Sequence, residues 1–309
     1  MAFILTTENL GKQYRDYRAL NGCSMHVPNG SIYGFVGRNG AGKTTLIRLI
    51  CGLQEPTEGS FSLYGITNSD HNITNARKRM GAVVEAPALY SEMTAEENLK
   101  QQYRLLGLSS FSGISELLKL VDLENTRKKK VRKFSLGMKQ RLGIAMALAG
   151  NPDFLILDEP TNGLDPQGII ELRELILKLN RERQMTVLIS SHNLDELSRL
   201  ATHYGIINAG RMVKELSAEE LDAVCRKCIR IEVSHMAVLS RVLDDLGFEY
   251  QILSESHADL FAKVNLSQLT LALAKNGCEI LSVENKDESL ESYFISLTGG
   301  GSDAQTVDR

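Results

Sequence analysis

A glycine-rich segment near the start of the chain has the residues and spacing of a phosphate-binding loop. The run Gly37-Arg38-Asn39-Gly40-Ala41-Gly42-Lys43-Thr44 fits the P-loop pattern, between the apolar stretch Ile32 to Val36 and a predicted helix, Thr45 to Ile50. In such a loop the backbone N–H groups curl around phosphates, Lys43 neutralises their charge and the Thr44 hydroxyl ligates Mg²⁺. A chance match is expected in about one such chain in a hundred, so a flexible glycine turn is the weaker explanation.

A second group of chemically active residues follows another apolar run. Phe154-Leu155-Ile156-Leu157 precedes Asp158 and Glu159, as in a buried strand that ends in two carboxylates. Beside a P-loop, we expect Asp158 to hold Mg²⁺ through water and Glu159 to orient or deprotonate the water that attacks the γ-phosphorus. Taken alone, an acidic pair in this place could equally cap a helix. Together with the P-loop, the pair indicates nucleotide hydrolysis.

A third motif stands shortly before that strand. Phe134-Ser135-Leu136-Gly137-Met138-Lys139-Gln140-Arg141 resembles the signature motif of ABC ATPases, and the three motifs occur in the order typical of that family. Three shorter matches support the resemblance. Gly163-Leu164-Asp165-Pro166 looks like the D-loop, His192 is similar to the switch histidine, and Tyr14 is placed like the aromatic residue that stacks on adenine. The resemblance covers about Phe3 to Leu216.

The resemblance implies ATP and Mg²⁺ as bound cofactors and a defined set of site residues. The implied nucleotide-binding residues are Tyr14, Gly37, Arg38, Asn39, Gly40, Ala41, Gly42, Lys43, Thr44, Thr45, Ser135, Gly137 and Asp165. The implied catalytic residues are Lys43, Glu159 and His192, and the implied metal ligands are Thr44, Glu85 and Asp158.

The same resemblance implies a dimer, formed with a second copy or with a paralogous ATPase. Each of two ATP molecules would lie between the P-loop of one subunit and Ser135 and Gly137 of the other. A physical argument supports this arrangement, because Ser135 could cap a helix from Gly137 to Leu148, and a helix N-terminus favours an anion.

Two motifs, the signature and the Q-loop, depart from the usual family pattern. Leu136 and Met138 replace a glycine and a glutamine of the signature, and Glu85 stands where the family has the Q-loop glutamine. A carboxylate at position 85 can still bind Mg²⁺ or water, but it adds negative charge near the γ-phosphate. These substitutions, with Ala86-Pro87-Ala88-Leu89-Tyr90, resemble the bacitracin and lantibiotic exporter branch.

Composition excludes several other classes of protein. The 309 residues carry a formal net charge of -3, unlike a protein that holds nucleic acid by neutralising phosphates, so we expect no nucleic-acid partner. The longest apolar stretch, Leu142 to Ala149, is too short to cross a bilayer, and the first ten residues do not resemble a signal peptide. Five scattered cysteines fit reduced thiols, and Cys225 and Cys228 lack the further ligands of a zinc site. We therefore expect a cytoplasmic protein.

Charge and periodicity divide the chain into two predicted domains. Residues 1–216 carry 27 Lys and Arg against 22 Asp and Glu, a net +5, whereas residues 217–309 carry 8 against 16, a net -8. The first domain alternates short apolar strands such as Val187 to Ser190 with helices, which predicts a doubly wound α/β fold of the P-loop NTPase (ABC ATPase) type. The stretch from about Thr94 to Ala149 is predicted to form a helical subdomain.

The second domain is predicted to be a small α+β ferredoxin-like unit. Its predicted pattern is strand, helix, strand, strand, helix, strand. The predicted elements are Ile229 to Val233, Met236 to Leu246, Glu249 to Leu253, Leu260 to Val264, Ser267 to Asn276 and Glu279 to Val283. A last helix from about Ser289 to Leu297 and a disordered glycine-rich tail are expected after it.

The leading hypothesis is an ATP-hydrolysing subunit that drives a separate integral-membrane permease and lies peripherally at the inner face of the membrane. Resemblance to the exporter branch implies export of a peptide, an antibiotic or another hydrophobic compound. The alternative is a non-transport ABC ATPase that acts on ribosomes or DNA, but such proteins resemble fused double units or carry long heptad arms. A third possibility is a subunit that senses a ligand through its acidic C-terminal domain.

Overall fold

The computed structural model describes residues 2–126, 128–225, 228–261, 266–286, 293–295 and 297. It divides into two units, the first running to Ala218 and the second beginning at Glu219. Within these described residues, no helix combines the length and the apolar character needed to cross a membrane.

The first unit contains ten strands and seven α-helices. The strands are β1 (Phe3–Tyr14), β2 (Tyr17–Pro28), β3 (Ile32–Val36), β4 (Glu58–Leu63), β5 (Ile66–Thr67), β6 (Met80–Val83), β7 (Phe154–Leu157), β8 (Thr186–Ser191), β9 (His203–Asn208) and β10 (Arg211–Ser217). The helices are α1 (Lys43–Ile50), α2 (Ile73–Arg77), α3 (Ala95–Leu105), α4 (Ile114–Leu120), α5 (Leu136–Ala147), α6 (Pro166–Arg183) and α7 (Leu194–Ser198). Single 3₁₀ turns lie at Glu124–Thr126, Val131–Lys133 and Leu148–Gly150.

A six-stranded sheet forms the centre of this unit. Its strand order is β10-β9-β3-β8-β7-β6, and all pairs are parallel except β10 with β9. Every residue of β3, β7 and β8 is buried, as expected for parallel strands covered on both faces. The carboxyl ends of β3, β8 and β7 therefore lie side by side, and the loops that follow them meet at one edge.

A second, antiparallel sheet has the order β2-β1-β4-β5. Strands β1 and β2 form a hairpin that turns through Arg15 and Asp16, with Tyr14 opposite Tyr17. Residues of this sheet, of β3 and of α1 share one apolar core that includes Leu10, Phe35 and Ile47. This core fixes the hairpin against the strand and helix that flank the P-loop.

The predicted helical segment is confirmed, since α3, α4 and α5 occupy most of the stretch between Thr94 and Ala149. Thr94 and Glu97 form a reciprocal capping box at the start of α3. The buried Asn98 side chain donates to the Thr94 and Tyr90 carbonyls and accepts from the Tyr90 N–H. These bonds tie α3 to the loop that precedes it.

The second unit is a four-stranded antiparallel sheet with helices. Its elements are α8 (Ala218–Val224), β11 (Cys228–Val233), α9 (Met236–Leu246), β12 (Tyr250–Ile252), β13 (His257–Leu260), α10 (Leu266–Lys275) and β14 (Ile280–Lys286). The strand order is β12-β13-β11-β14, and an apolar core includes Ile231, Leu239 and Leu269. Between β11 and β14 the sequence runs helix, strand, strand, helix, as in the split βαβ arrangement.

One predicted strand of this unit begins earlier than predicted. A strand was expected at Leu260 to Val264, whereas β13 runs from His257 to Leu260, and residues 262–264 lie outside the described residues. Ala258 and Leu260 alternate into the core, while Asp259 between them forms a bidentate ion pair with Arg230 of β11. A charged residue inside a strand concealed the alternation. Most of the predicted last helix and the whole glycine-rich tail lie outside the described residues.

Candidate functional site

The P-loop joins the end of β3 to the start of α1. Gly40 and Gly42 have φ of 80° and 110°, in the left-handed region that favours glycine. A Cβ on Gly42 would lie 2.7 Å from the Ala19 carbonyl oxygen, so the loop packs against β2 without room for a side chain. Helix α1 has no side-chain cap and no acidic residue in its first turn. Its first N–H groups are therefore available to an anion.

Lys43 is held by acceptors of the protein itself. It is only 5% exposed, and its Nζ donates to the Gly37 carbonyl at 2.5 Å and to the Arg38 carbonyl at 3.3 Å. The same Nζ lies 3.0 Å from Glu159 Oε1. Phosphate oxygens that bind this loop must therefore compete with these contacts for the ammonium group.

The two carboxylates after β7 are organised by a serine at the end of the neighbouring strand. Asp158 is 1% exposed, and the Ser190 hydroxyl of β8 donates to its Oδ1 at 2.7 Å. The same hydroxyl oxygen accepts from the Glu159 N–H at 2.8 Å. Glu159 has a φ of 47°, a conformation that non-glycine residues rarely adopt. Ser190 thus helps to hold a strained backbone that turns the Glu159 side chain toward the P-loop.

The Glu159 carboxylate lies between Lys43 and His192. Its Oε2 lies 2.8 Å from His192 Nδ1, while its Oε1 makes the ion pair with Lys43. Oε1 is buried, and among the described residues no group donates a well-aligned hydrogen bond to it. The structure thus brings all three predicted catalytic residues together, with the Lys43 ion pair as the one close contact of Oε1 among the described residues.

The signature residues lie at the start of α5. Ser135 is the exposed N-cap of this helix, and its side chain accepts from the Met138 N–H at 3.3 Å. Leu136 is 48% exposed, and a Cβ on Gly163 would approach its side chain to 3.0 Å. A helix N-terminus with a serine cap is therefore presented to solvent, as the proposed nucleotide contact from a second subunit requires.

Two other predicted nucleotide-binding residues have partners within the chain. Asp165 caps α6, where its Oδ1 accepts from the Gly168 N–H at 3.0 Å. The Tyr14 hydroxyl donates to Gln54, and Lys12 Nζ lies 5.3 Å from the centre of the Tyr14 ring. These contacts place both side chains without excluding a nucleotide, so their assignment stays a prediction.

Glu85 has a different environment from the one expected of a metal ligand. Its φ is 60°, and its carboxylate forms an ion pair with Arg48 of α1. Arg48 follows Thr44 by four residues, about one helical turn. The pair neutralises the charge that Glu85 was expected to add at the γ-phosphate, and it links the P-loop helix to the loop after β6.

An apolar groove of about 720 Å³ lies beside this ion pair. It is lined by the loop after β6 and by α3, α5 and the end of α1, including Leu53, Pro87, Tyr90, Leu105 and Met146. Cys51 also lines it, and burial, together with the negative charge of Asp158, raises the pKa of its thiol to about 12. A predominantly apolar groove of this size is suited to a peptide segment or a helix of a partner protein.

Sequence reasoning missed four residues that organise the site. Ser190 donates to Asp158, and Arg48 pairs with Glu85. The Thr161 hydroxyl donates to Glu196 of α7 at 2.7 Å. A signal existed for Ser190, because it ends an apolar run that had been identified as a strand. No local pattern marked Arg48 or Glu196, since their partners lie 37 and 35 residues away in the sequence.

Comparisons with known proteins agree with this geometry. The pattern of the ABC transporter family matches residues 20–162. The chain is 40% identical to the bacitracin transport ATP-binding protein of Bacillus licheniformis over 97% of this chain and 99% of the relative. It is 44% identical to a lantibiotic transport ATP-binding protein of Streptococcus pyogenes over 69% of this chain and 90% of the relative. A dimeric ATP-binding cassette solved in a post-hydrolysis state with ADP and phosphate superposes with a TM-score of 0.63, at 26% identity, over 69% of this chain and 98% of that one.

Proposed function

Because the chain belongs to the ABC transporter family of ATP-binding proteins, we propose that Lys43, Glu159 and His192 carry its ATPase reaction and that it powers a membrane permease for export. The predicted family and the predicted ATPase activity are both confirmed by the close relatives. The observation that carries the residue assignment is the contact of one half-buried carboxylate with both the P-loop lysine and the histidine after β8.

The reaction is an in-line attack of water on the γ-phosphorus of ATP. Lys43 leaves Glu159 and binds the phosphate oxygens, while the free N–H groups of α1 surround them. Glu159 Oε1 then accepts a proton from the attacking water, since Lys43 was its one close partner among the described residues and has moved to the phosphates. His192 keeps the other carboxylate oxygen in place through its Nδ1.

The residues around the P-loop fit a magnesium ion. The Thr44 hydroxyl and the buried Asp158 carboxylate are oxygen ligands, which Mg²⁺ prefers. Ser190 occupies only one oxygen of Asp158 and orients the other. When bound, the ion supplies positive charge that neutralises the β- and γ-phosphates. Glu85 is a less favourable ligand than predicted, because Arg48 already holds its carboxylate.

The N-terminus of α5 supplies an argument for a dimer. Ser135 and the first N–H groups of this helix face solvent, where a γ-phosphate brought by a second subunit could bind. Both half-sites are present in this one chain, which favours a homodimer, although a paralogous ATPase would satisfy the same geometry. The dimeric cassette in the comparison provides a precedent.

The groove beside Glu85 is the surface to which we assign the permease. It is predominantly apolar, and the Arg48–Glu85 pair joins the loop after β6, which lines it, to the P-loop helix. Docking there would place the protein at the inner face of the membrane. The relatives named above transport bacitracin and a lantibiotic, which supports export of a peptide-like antibiotic as the cargo.

Affinity purification from gently solubilised membranes tests this proposal. A polytopic membrane protein should co-purify in stoichiometric amount with the tagged chain, and Leu53→Asp, a change at a 64% exposed residue of the groove, should abolish that association. Leu271→Asp is the matched control, because Leu271 of α10 is also 64% exposed but lies in the second unit. Capture of ribosomal proteins without a permease would overturn the transport role and leave the ATPase chemistry intact.

A further inference from the structure

A hydrogen bond outside the reacting groups joins the two loops that carry Glu159 and His192. The Thr161 hydroxyl donates to Glu196 Oε2 at 2.7 Å. Thr161 lies two residues after Glu159, and Glu196 lies in the first turn of α7, whose N-cap follows His192. Both side chains are half-buried. The two loops are thus joined twice, once by the catalytic groups and once by this bond.

The Glu159–His192 contact and the Thr161–Glu196 hydrogen bond differ in what happens to them during the reaction. Glu159 must give up Lys43 when phosphates bind, and its carboxylate must face the attacking water. Its contact with His192 is therefore subject to change in each cycle. Thr161 and Glu196 touch neither Lys43 nor the P-loop in any contact that the described residues make, so their bond can persist throughout the cycle.

Side-chain packing does not by itself set the separation of these loops. A half-open pocket of about 190 Å³ lies beside the bond. Apolar side chains of α6, β8 and α7 line it together with Thr161, Glu196 and the charged residues Arg173, Asp195 and Arg199. Protein interiors resist displacement because they are close-packed, and a pocket removes that resistance locally. The hydrogen bond is therefore the stiff connection at this place.

We propose that Thr161 and Glu196 form a positioning pair that keeps the Glu159 and His192 side chains in a constant relative position while ATP is bound and hydrolysed. The proposal rests on the catalytic roles assigned above to Glu159 and His192. Without the bond, the loop after β7 can relax into the pocket and carry the Glu159 carboxylate away from the attacking water. Misplacement of a catalytic group by about 1 Å can cost about a hundredfold in rate, so a partial shift should cost about tenfold.

A comparison of threonine variants tests the hydroxyl. Thr161→Val keeps the shape and removes the donor; we expect kcat to fall about tenfold and KM for ATP to change less than twofold. Thr161→Ser keeps a donor and should restore most of the activity. Thr126→Val is the matched control, because it removes another half-buried hydroxyl that donates a hydrogen bond, to the Leu123 carbonyl, outside the site.

A double-mutant cycle tests the pair. Glu196→Ala should lower kcat as Thr161→Val does, Glu196→Gln should retain part of the activity, and the Thr161→Val, Glu196→Ala double variant should be no slower than either single variant. Wild-type kcat in Thr161→Val, or equal losses in Thr161→Val and Thr126→Val, would overturn the proposal. Undiminished turnover in Glu159→Gln would instead overturn the underlying catalytic assignment, so the two failures are distinguishable.

Discussion

The ion pair between Lys43 and Glu159 makes ATP binding and ATP turnover respond in opposite directions to one substitution. In Glu159→Gln the side chain keeps its shape but loses its charge, so Lys43 is released toward incoming phosphates and the catalytic base is removed. We expect ATP to bind more tightly while hydrolysis stops. An ATP-bound dimer should then accumulate.

The size of the effect follows from the geometry of the pair. At the observed 3.0 Å, Coulomb's law with an effective dielectric constant of about 20 gives an attraction of about 5.5 kcal/mol, from 332/(20 × 3.0). Desolvation of the two groups offsets most of that attraction. If about a quarter of it opposes phosphate binding, about 1.4 kcal/mol, the dissociation constant for ATP falls about tenfold in Glu159→Gln.

Calorimetric titration with ATP in the presence of EDTA measures the affinity without hydrolysis, and phosphate release with Mg²⁺ measures the turnover. Glu96→Gln is a matched control, because it removes the charge of a glutamate that pairs with Lys100 on the surface of α3. It should change neither quantity. Lys43→Ala should act in the opposite direction and weaken ATP binding about tenfold or more.

Two results would refute this reasoning. Equal ATP affinities in the wild type and in Glu159→Gln would mean that Glu159 does not restrain Lys43. Phosphate release that continues in Glu159→Gln would remove Glu159 as the base. Retained ATP affinity in Lys43→Ala would contradict the P-loop assignment itself.

Three further predictions concern the groove and its surroundings. Gly143→Ala should lower the melting temperature and destabilise the fold by about 1–3 kcal/mol, because its Cβ would lie 2.4 Å from Cβ of Pro87. Arg48→Glu and Glu85→Arg should each change kcat for ATP about two- to fivefold, and the combined swap should restore it by re-forming the ion pair. At pH 8 the Cys51 thiol, with its pKa raised to about 12, should alkylate about one to two orders of magnitude more slowly than a free thiol, because its smaller thiolate fraction is only partly offset by greater nucleophilicity, as measured by mass spectrometry.

Each of these predictions has a control within the chain. Gly150→Ala introduces a methyl group with ordinary clearance, 3.8 Å from Leu106, and should leave the melting temperature unchanged. Charge reversal of the exposed Arg18–Glu58 pair should leave kcat unchanged. For Cys51 the reference is the same residue in the unfolded protein. Rapid alkylation in the folded state, or a charge swap that restores nothing, would contradict the respective argument.

Much of the site was predictable because its motifs are local. The P-loop, the acidic pair and the signature helix each depend on a strand or helix formed by neighbouring residues, and α1, β7 and α5 lie where the sequence predicted them, within two residues. The cap at Ser135 was predictable for the same reason, since a capping side chain bonds to an N–H three residues away.

The prediction that depended on pairing across the sheet was less accurate. Asp259 interrupts the apolar alternation of β13, and Arg230 on the adjacent strand forms an ion pair with it. Glu85 likewise forms an ion pair with a residue that is distant in the sequence. Its sequence position suggested a metal ligand, whereas the ion pair with Arg48 became visible only when α1 and the loop after β6 were placed side by side.

The sequence alone determined the family, the chemistry and the residue types of the site, because each motif is a short pattern whose geometry is set by its own backbone. The tertiary structure decided how these parts meet. It places β8 between β3 and β7, so that Ser190 can hold Asp158 and His192 can reach Glu159. Strand order depends on hydrogen bonds and burial between segments that lie from about thirty to more than a hundred residues apart, and no local pattern records them.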